Sequence, residues 1–513
     1  MDYNQKTDLL QDETLSQKLI KKGFWLYLFS YLIAPGGYLI RLIISNSSEV
    51  SVADVGILYS IISLINFLNV YNDLGLTESL QYFLPKFWIK KQYNQIKTTI
   101  WISLGTQFVT AILIALGLWF GADWLAAEYF QSPIAAKILK YFCFYFLGIN
   151  LFQTLQSIFI AFQKTFDYQF VEFVKIWATV WFTFFCFFTE KGTIEWYSLN
   201  WLLGLGVGIL IAGLLYRKKY RSSLMQGSFE WNKPILKEYR NYALWAFIGA
   251  NVGNVFGQII QQMVVYFLGA EEAGYYANFL SLFYIGNILI GPIMSLVFPM
   301  VSELIAKKNN EKLWILISFF YSYFSIFALS ISTFLMVLWP EIASAIFWNK
   351  FKFSWELLTI GQIFLVFNIL SRFNFWYLGG MGKVKKRVKI MSISTILLFI
   401  ISIPFIIFKW IYWAVFSFWV WYLLIFLSSY TVIKKQGIKV NLDWKFIIKN
   451  IITFIVLWLG IFTSKEKLSL LSGNRWFNVG EVIGLWILFY TILWLINYKE
   501  FLSLYKEIMQ IKN

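Results

Sequence analysis

Histidine is absent from all 513 residues, and that absence removes several enzyme classes at once. There can be no His-based triad, no HExxH zinc site and no membrane acyltransferase that needs an imidazole. Proton coupling, if the chain performs it, falls to carboxylates. Cysteine is almost as scarce. Cys143 and Cys186 each sit in an apolar run, where a thiol acts as a small hydrophobe. Two such residues give neither a disulfide framework nor a metal cluster, so no metal site and no cofactor is expected. Charge is thin, at 14% of residues, and no Walker motif occurs, so the chain itself does not hydrolyse ATP. The connections between apolar runs are short, which leaves no room for an extracytoplasmic catalytic domain. Residues 1–22 are polar and mixed in charge, so no cleavable signal peptide is expected.

Apolar residues, by contrast, make up 59% of the chain. Runs of 18 or more recur, each long enough to cross a hydrocarbon layer of about 30 Å as a helix. These continuous runs exclude a barrel of alternating strands. The fold class is therefore an all-α polytopic membrane protein. About fourteen spans are predicted, at 23–44, 53–78, 99–120, 138–161, 171–189, 197–216, 241–268, 277–300, 313–338, 355–379, 390–408, 411–432, 449–464 and 479–498. With the N-terminus cytoplasmic, Lys and Arg concentrate in the inside segments along the whole chain, which orients both termini inward. The net charge of +17 is explained by that bias, and no nucleic-acid partner is expected. The 25 Trp and 30 Tyr suit interfacial belts, with a glycan-stacking surface as the alternative.

The chain contains a variation on one of its own stretches. Residues 52–85 read VADVGILYSIISLINFLNVYNDLGLTESLQYFLP, and residues 269–299 read GAEEAGYYANFLSLFYIGNILIGPIMSLVFP. Asp54 falls against Glu272 and Gly56 against Gly274, and an apolar helix ending in proline follows both. A repeat at that spacing implies two related lobes with something bound between them. Residues 1–218 form the N-lobe, 219–433 a basic linker with the C-lobe, and 434–513 two further helices. The linker carries the run RKKYR, which also suits anionic lipid headgroups.

Ionisable groups inside a membrane cost on the order of 3 kcal/mol each at a helix centre, so they are the informative ones. Arg41 lies near the outer end of span one, after a Pro35-Gly36-Gly37 break where a bend is expected. It either snorkels to the interface or binds substrate. Asp73 and Glu78, in the inner half of span two, are candidates for proton or cation sites, for an inward gate, or for a structural pair with a lysine such as Lys86. Arg372, in span ten with Asn368 one turn before it, offers a fork of donors suited to a diphosphate, or a helix anchor. Lys140 and Lys175 read as interfacial.

Span seven carries two opposed faces. Gly249, Gly253 and Gly257 give one side small-residue spacing suited to close packing. Asn251, Asn254, Gln258, Gln261 and Gln262 line the other, which should meet a wet cavity or other helices. Span four adds Asn150, Gln153 and Ser157. The glycines of GLGVG at 204–208 lie in an apolar helix with no preceding strand and read as packing. Asn46-Ser47-Ser48 is a formal sequon only.

Together these residues resemble a known family. KKGFWLYLFS, Arg41, Gly56 and Asp73-Leu74-Gly75 stand where the polysaccharide transporters carry a basic N-terminus, an arginine, a glycine and an aspartate-leucine-glycine. That family is the O-antigen flippase-like branch of the multidrug/oligosaccharidyl-lipid/polysaccharide exporter superfamily. Residues 268–276 match again in the second lobe. The connector SNSSEVSV, between Arg41 and Gly56, is longer than the usual few residues. The resemblance implies two pseudo-symmetric six-helix lobes around a central cavity, lined by spans one and seven, with two extra C-terminal helices. It implies alternating access that moves an undecaprenyl-diphosphate-linked oligosaccharide between the leaflets of a bacterial or archaeal cytoplasmic membrane. Proton or sodium coupling, membrane lipids, a polysaccharide polymerase and assembly proteins belong to the same expectation. A multidrug or cation antiporter of the same superfamily is the first alternative, and a membrane glycosyltransferase the second.

Overall fold

A computed structural model describes residues 15–189, 192–284, 308–337, 350–362, 365–408, 411–435, 444–468 and 487–500, with isolated positions between them. These residues are helical, and no strand occurs among them. Eight helices among them are long and apolar enough to cross a membrane, or nine if one bent pair counts as a single span. The predicted eighth span beyond residue 284 and the start of the fourteenth lie outside the described residues.

The chain forms two compact units, Met1–Ala277 and Asn278–Asn513. In the first, α1 (Leu15–Asn46), α2 (Val52–Asp73), α3 (Leu76–Ile89), α4 (Tyr93–Trp124), α5 (Ile134–Ala161), α6 (Thr165–Phe188) and α7 (Ile194–Leu215) are followed by a π-turn at Tyr216–Tyr220 and a single turn, α8 (Arg221–Leu224). Next come α9 (Lys233–Phe267) and α10 (Ala270–Phe283). Helix α1 packs along α6, α4 along α5, and α7 against both α5 and α6. Apolar side chains such as Ile40, Val55, Leu58, Phe146, Phe152 and Phe159 are buried between them. Trp101, Phe108, Leu113 and Phe120 of α4, and Trp181 and Phe185 of α6, point outward, where hydrocarbon receives them. Helix α1 continues through Pro35, and at that turn Trp177 Nε1 donates to the Leu32 carbonyl, 3.0 Å away.

Two boundaries depart from the sequence reading. The helix of span two stops at Asp73 rather than at residue 78, because Leu74 (φ 52°) and Gly75 (φ 73°) turn left-handed before α3 begins. The first unit also runs past residue 218 to take in α9, which packs on both α2 and α3.

The second unit contains α11 (Asn310–Phe319), α12 (Ser325–Val337), α13 (Lys352–Gln362), α14 (Leu365–Gly380), α15 (Val384–Ile407), α16 (Ile411–Lys434) and α17 (Trp444–Leu468). Predicted span ten is the pair α13 and α14, bent by 54° at their junction. Helix α17 and the 487–500 helix are joined by two buried carboxamides, with Asn497 Nδ2 donating to Asn450 Oδ1 at 2.7 Å and Asn450 Nδ2 returning the bond at 3.2 Å. A Lys449–Glu500 ion pair of 2.6 Å stands beside them. Phe446, Phe454, Phe489 and Leu493 bury this pair of helices against Ile326 of α12.

Candidate functional site at the seam of α2 and α9

One end of the seam is set by a helix start. Ser51 and Asp54 form a capping box, with Asp54 N donating to Ser51 Oγ at 3.1 Å and Ser51 N to Asp54 Oδ2 at 2.9 Å. One turn on, Gly56 lies against the first turn of α10. A Cβ at Gly56 would stand 2.6 Å from the amide nitrogen of Gly274, and one at Gly274 would stand 2.9 Å from Val52 Cγ1. Neither position has room for a side chain. Arg41 is drawn into the same corner. Its guanidinium lies 3.6 Å from the centroid of the Tyr59 ring and donates to the carbonyl of Ala277, and the residue is only 8% exposed. The head group therefore turns into protein rather than reaching for water.

Further in, the carboxamides of α9 engage α2. Gln261 Nε2 donates to Ser60 Oγ at 2.8 Å and to the Ala273 carbonyl at 3.1 Å. Gln262 Nε2 donates to the Ser60 carbonyl at 2.8 Å, and Tyr129 donates to Gln262 Oε1 at 3.1 Å. Asn254 Nδ2 reaches the Asn66 carbonyl at 3.0 Å, while Ser63 Oγ donates to the Gln258 carbonyl at 3.2 Å. Asn251 turns back to the Phe247 carbonyl of its own helix, 3.0 Å away, and the Gln258 side chain is left half-buried. A Cβ at Gly249 or Gly257 would meet no described atom within 4 Å. The amide side is the one that packs, because an amide in apolar surroundings must find a partner and a neighbouring helix supplies it.

The opposite end is organised by the left-handed turn. Asp73 accepts from Thr77 N at 3.1 Å and from Thr77 Oγ1 at 3.0 Å, bridging the turn whose Gly75 is the N-cap of α3. Gln107 Nε2 donates to the same carboxylate at 2.7 Å, and Thr154 donates to Gln107 Oε1 at 2.8 Å. Asn150 Nδ2 adds a bond to the Gln107 carbonyl at 3.0 Å. This buried chain ties α2, α4 and α5 together. Gly75 lets α9 approach, since a Cβ there would stand 2.7 Å from Phe247 N. Below it, the Tyr82 and Tyr242 rings stack at 4.4 Å and 9°, with Lys86 Nζ 3.6 Å from the Tyr82 centroid. Tyr239 Oη donates to the Leu76 carbonyl at 3.2 Å. Glu78 is exposed and makes no ion pair with Lys86 or with any other described residue.

Arg372 belongs to the second unit, on α14, where it is exposed and hydrogen-bonded to Tyr422. Asn368, one turn earlier, is fully buried, and neither amide atom has a hydrogen-bond partner among the described residues. The two lysines read as interfacial differ from each other. Lys140 pairs with the exposed Asp123 at 3.0 Å, but Lys175 lies inside the first unit, 2.6 Å from Glu172 and 4.8 Å from the Phe152 centroid. Gln156 Nε2 holds Glu172 Oε2 at 2.9 Å. Gly204 and Gly208 of α7 pack on this part of α6, where their missing side chains make room for Lys175 and Thr179. No group of three or more metal-ligating side chains is found among the described residues.

Sequence reasoning passed over Gln107, Tyr59, Tyr82 and Tyr242. Each looks ordinary along the chain, and only the helix brought against it gives it a role. A polar residue within an apolar run was the available signal for Gln107. Nothing distinguished the three tyrosines among 30.

Residues 19–305 match the family model described as polysaccharide biosynthesis protein. An uncharacterized membrane protein of Methanocaldococcus jannaschii is 24% identical over 396 residues, covering 74% of this chain and 76% of its own. Among solved structures, the lipid II flippase MurJ in an inward closed conformation superposes with a TM-score of 0.71 at 13% identity, over 93% of this chain and 99% of its own. An inward-facing multidrug resistance transporter of the MATE family and MOP superfamily gives 0.65 at 14% identity, over 80% and 95%. The fold is the one those transporters share.

Proposed function

Since the chain belongs to the polysaccharide biosynthesis protein family, we propose that it is a transporter rather than an enzyme: a flippase for a polyprenyl-diphosphate-linked oligosaccharide. The observation that carries this reading is the strip of hydrogen-bonding groups along α2 and α9. Polar side chains at membrane depth are costly unless they serve transport or packing. Here they bond across one seam, so parting the helices would expose Ser60, Asn254, Gln261 and Gln262 beside the half-buried Gln258. Those groups could then exchange one hydrogen bond for another with sugar hydroxyls, at a small net change in free energy.

A diphosphate needs cations that stay charged. Arg41 and Arg372 are the intramembrane guanidiniums assigned to it, while the lipid tail remains in the bilayer. Glu78, without an ion-pair partner among the described residues, is the carboxylate assigned to proton or sodium coupling, and Asp73 holds the turn before α3. Substrate would pass from the inner to the outer leaflet of a cytoplasmic membrane with both chain termini cytoplasmic, ahead of a polymerase and its assembly proteins.

The test is leaflet transfer in proteoliposomes of a short-chain polyprenyl-diphosphate oligosaccharide, with and without an ion gradient. Wild type should transfer it, and Arg41→Ala and Arg372→Ala should each lower the rate by about tenfold or more at equal reconstitution, as expected when a charge-assisted bond is lost. Transfer untouched by both changes would remove the arginines from the site. The similarity to a multidrug transporter supports a second reading, cation antiport. It wins if wild type moves no lipid-linked sugar but exchanges an organic cation for protons or sodium.

A further inference from the structure

Not every carboxamide beside the seam is spent on it. Asn254 Nδ2 donates to the Asn66 carbonyl at 3.0 Å, while the Asn66 side chain itself is exposed. One turn before Asn66, Ser63 Oγ donates to the Gln258 carbonyl at 3.2 Å, and the Gln258 side chain stays half-buried. Asn251 uses its nitrogen on the Phe247 carbonyl of its own helix, which leaves Oδ1 unspent. One turn after Asn66, Asn69 Nδ2 donates to Gln153 Oε1 of α5 at 3.4 Å, which leaves Gln153 Nε2 unspent. Neither amide atom of Asn66 or Gln258 has a hydrogen-bond partner among the described residues.

These side chains make one continuous wall. Asn251 and Gln258 lie three residues before and four after Asn254, so the three share a face of α9. Asn66 and Asn69 share a face of α2 in the same way. Helices α2 and α5 are long and apolar enough to cross the membrane. Open carboxamides at that depth are costly against hydrocarbon, so the wall meets water.

The wall carries no net charge. Helix α2 has no charged residue between Asp54 and Asp73, α9 has none after Arg240, and α5 has none after Lys140. The Glu172–Lys175 pair, bonded to Gln156 one turn along α5 from Gln153, is neutral as a unit. A carboxamide offers a donor and an acceptor in one plane, and a second amide returns both bonds. Asn450 and Asn497 make such a pair elsewhere in this chain, at 2.7 and 3.2 Å. A sugar hydroxyl fills one of the two positions, whereas the acetamido group of an N-acetylated sugar fills both. A uronic acid would bring a carboxylate to a wall without a free cation, where burying it is unfavourable.

We propose that this wall selects neutral N-acetylated sugars in the transported glycan. Gln258 and Asn66 pair with acetamido groups, Asn251 Oδ1 accepts from a sugar hydroxyl, and Gln153 Nε2 donates to one. The inference rests on the reading of the chain as a lipid-linked oligosaccharide flippase and adds the kind of sugar.

Three short-chain polyprenyl-diphosphate sugars test it, carrying N-acetylglucosamine, glucose or glucuronic acid. They share the lipid and the diphosphate, so any contribution of the arginines cancels from the comparison. Retention by the full-length protein is read by native mass spectrometry, and leaflet transfer is read separately in proteoliposomes. Wild type should retain the N-acetylglucosamine lipid about tenfold over the other two, the worth of one amide pair. Gln258→Leu and Asn66→Leu should each narrow that ratio towards one while melting near wild type, since neither side chain holds another residue. Equal retention of the N-acetylglucosamine and glucose lipids, or a ratio unchanged in both variants, would overturn the site. Tightest retention of the glucuronic acid lipid would overturn its preference for neutral sugars. No transfer of any of the three, with the retention ratio intact, would remove the flippase reading and leave the sugar site standing.

Discussion

Gly56 and Gly274 occupy matching positions in the two repeated stretches, and they lie against each other where the start of α2 crosses the start of α10. The missing side chain of Gly56 faces Gly274 N, and that of Gly274 faces the Val52 side chain and backbone. Two copies of one motif thus form a contact that either would lose if it carried a Cβ.

Gly56→Ala should therefore be far more harmful than an ordinary overpacking change, which costs about 1–3 kcal/mol, because the obstruction is backbone. Gly37→Ala is the matched control, since a Cβ at Gly37 meets no described atom within 4 Å. Thermal unfolding in detergent should show a large loss for the first and almost none for the second. Equal melting temperatures would mean that the crossing has slack.

The Tyr82–Tyr242 stack lies at the α3 end of the seam, and parting α3 from α9 must break it. Cysteines at both positions, in a chain whose Cys143 and Cys186 are alanine, should join through a short thiol cross-linker and stop transfer in proteoliposomes. Cleaving the linker should restore it. Full transfer by the cross-linked protein would show that this end of the seam stays shut throughout the cycle.

Asp73 and Glu78 should separate by function. An asparagine oxygen can still accept from both Thr77 N and Gln107 Nε2, which share one oxygen of Asp73, so Asp73→Asn should keep most of the stability, whereas Asp73→Ala should lose about 1–3 kcal/mol and strand the Gln107 amide. Glu78→Gln should fold normally but abolish the response of transfer to an ion gradient. If Asp73→Asn removes that response while Glu78→Gln keeps it, the coupling carboxylate is the buried one.

Breaking the Glu172–Lys175 pair tests its weight inside the first unit. Glu172→Gln leaves Lys175 with a neutral neighbour, and Lys175→Met leaves Glu172 with Gln156 alone. Each single change should lower thermal stability, and the double change Glu172→Gln/Lys175→Met should recover much of the loss, because an unpaired charge costs more than an absent pair. Additive losses would mean that the two groups act independently.

Much of the architecture was legible in the chain. Apolar runs of membrane length, the repeat and the basic linker all follow from side-chain chemistry counted along one dimension. Other features could not be read that way. The period of span seven separates a glycine side from an amide side, but it cannot say which neighbour each side meets. Lys175 looked like a span-end residue until Glu172 and Gln156 closed around it, and span two looked continuous until Leu74 and Gly75 turned left-handed.

The sequence by itself determined that the chain is a helical membrane protein, because transfer from water to hydrocarbon depends on composition and run length alone. Only the tertiary structure decided that Arg41 turns inward onto Tyr59 and that the amides of α9 bond to α2. The partners in these contacts lie up to 236 positions apart along the chain. A hydrogen bond or a ring contact depends on distance in space, which the local pattern of residues does not contain.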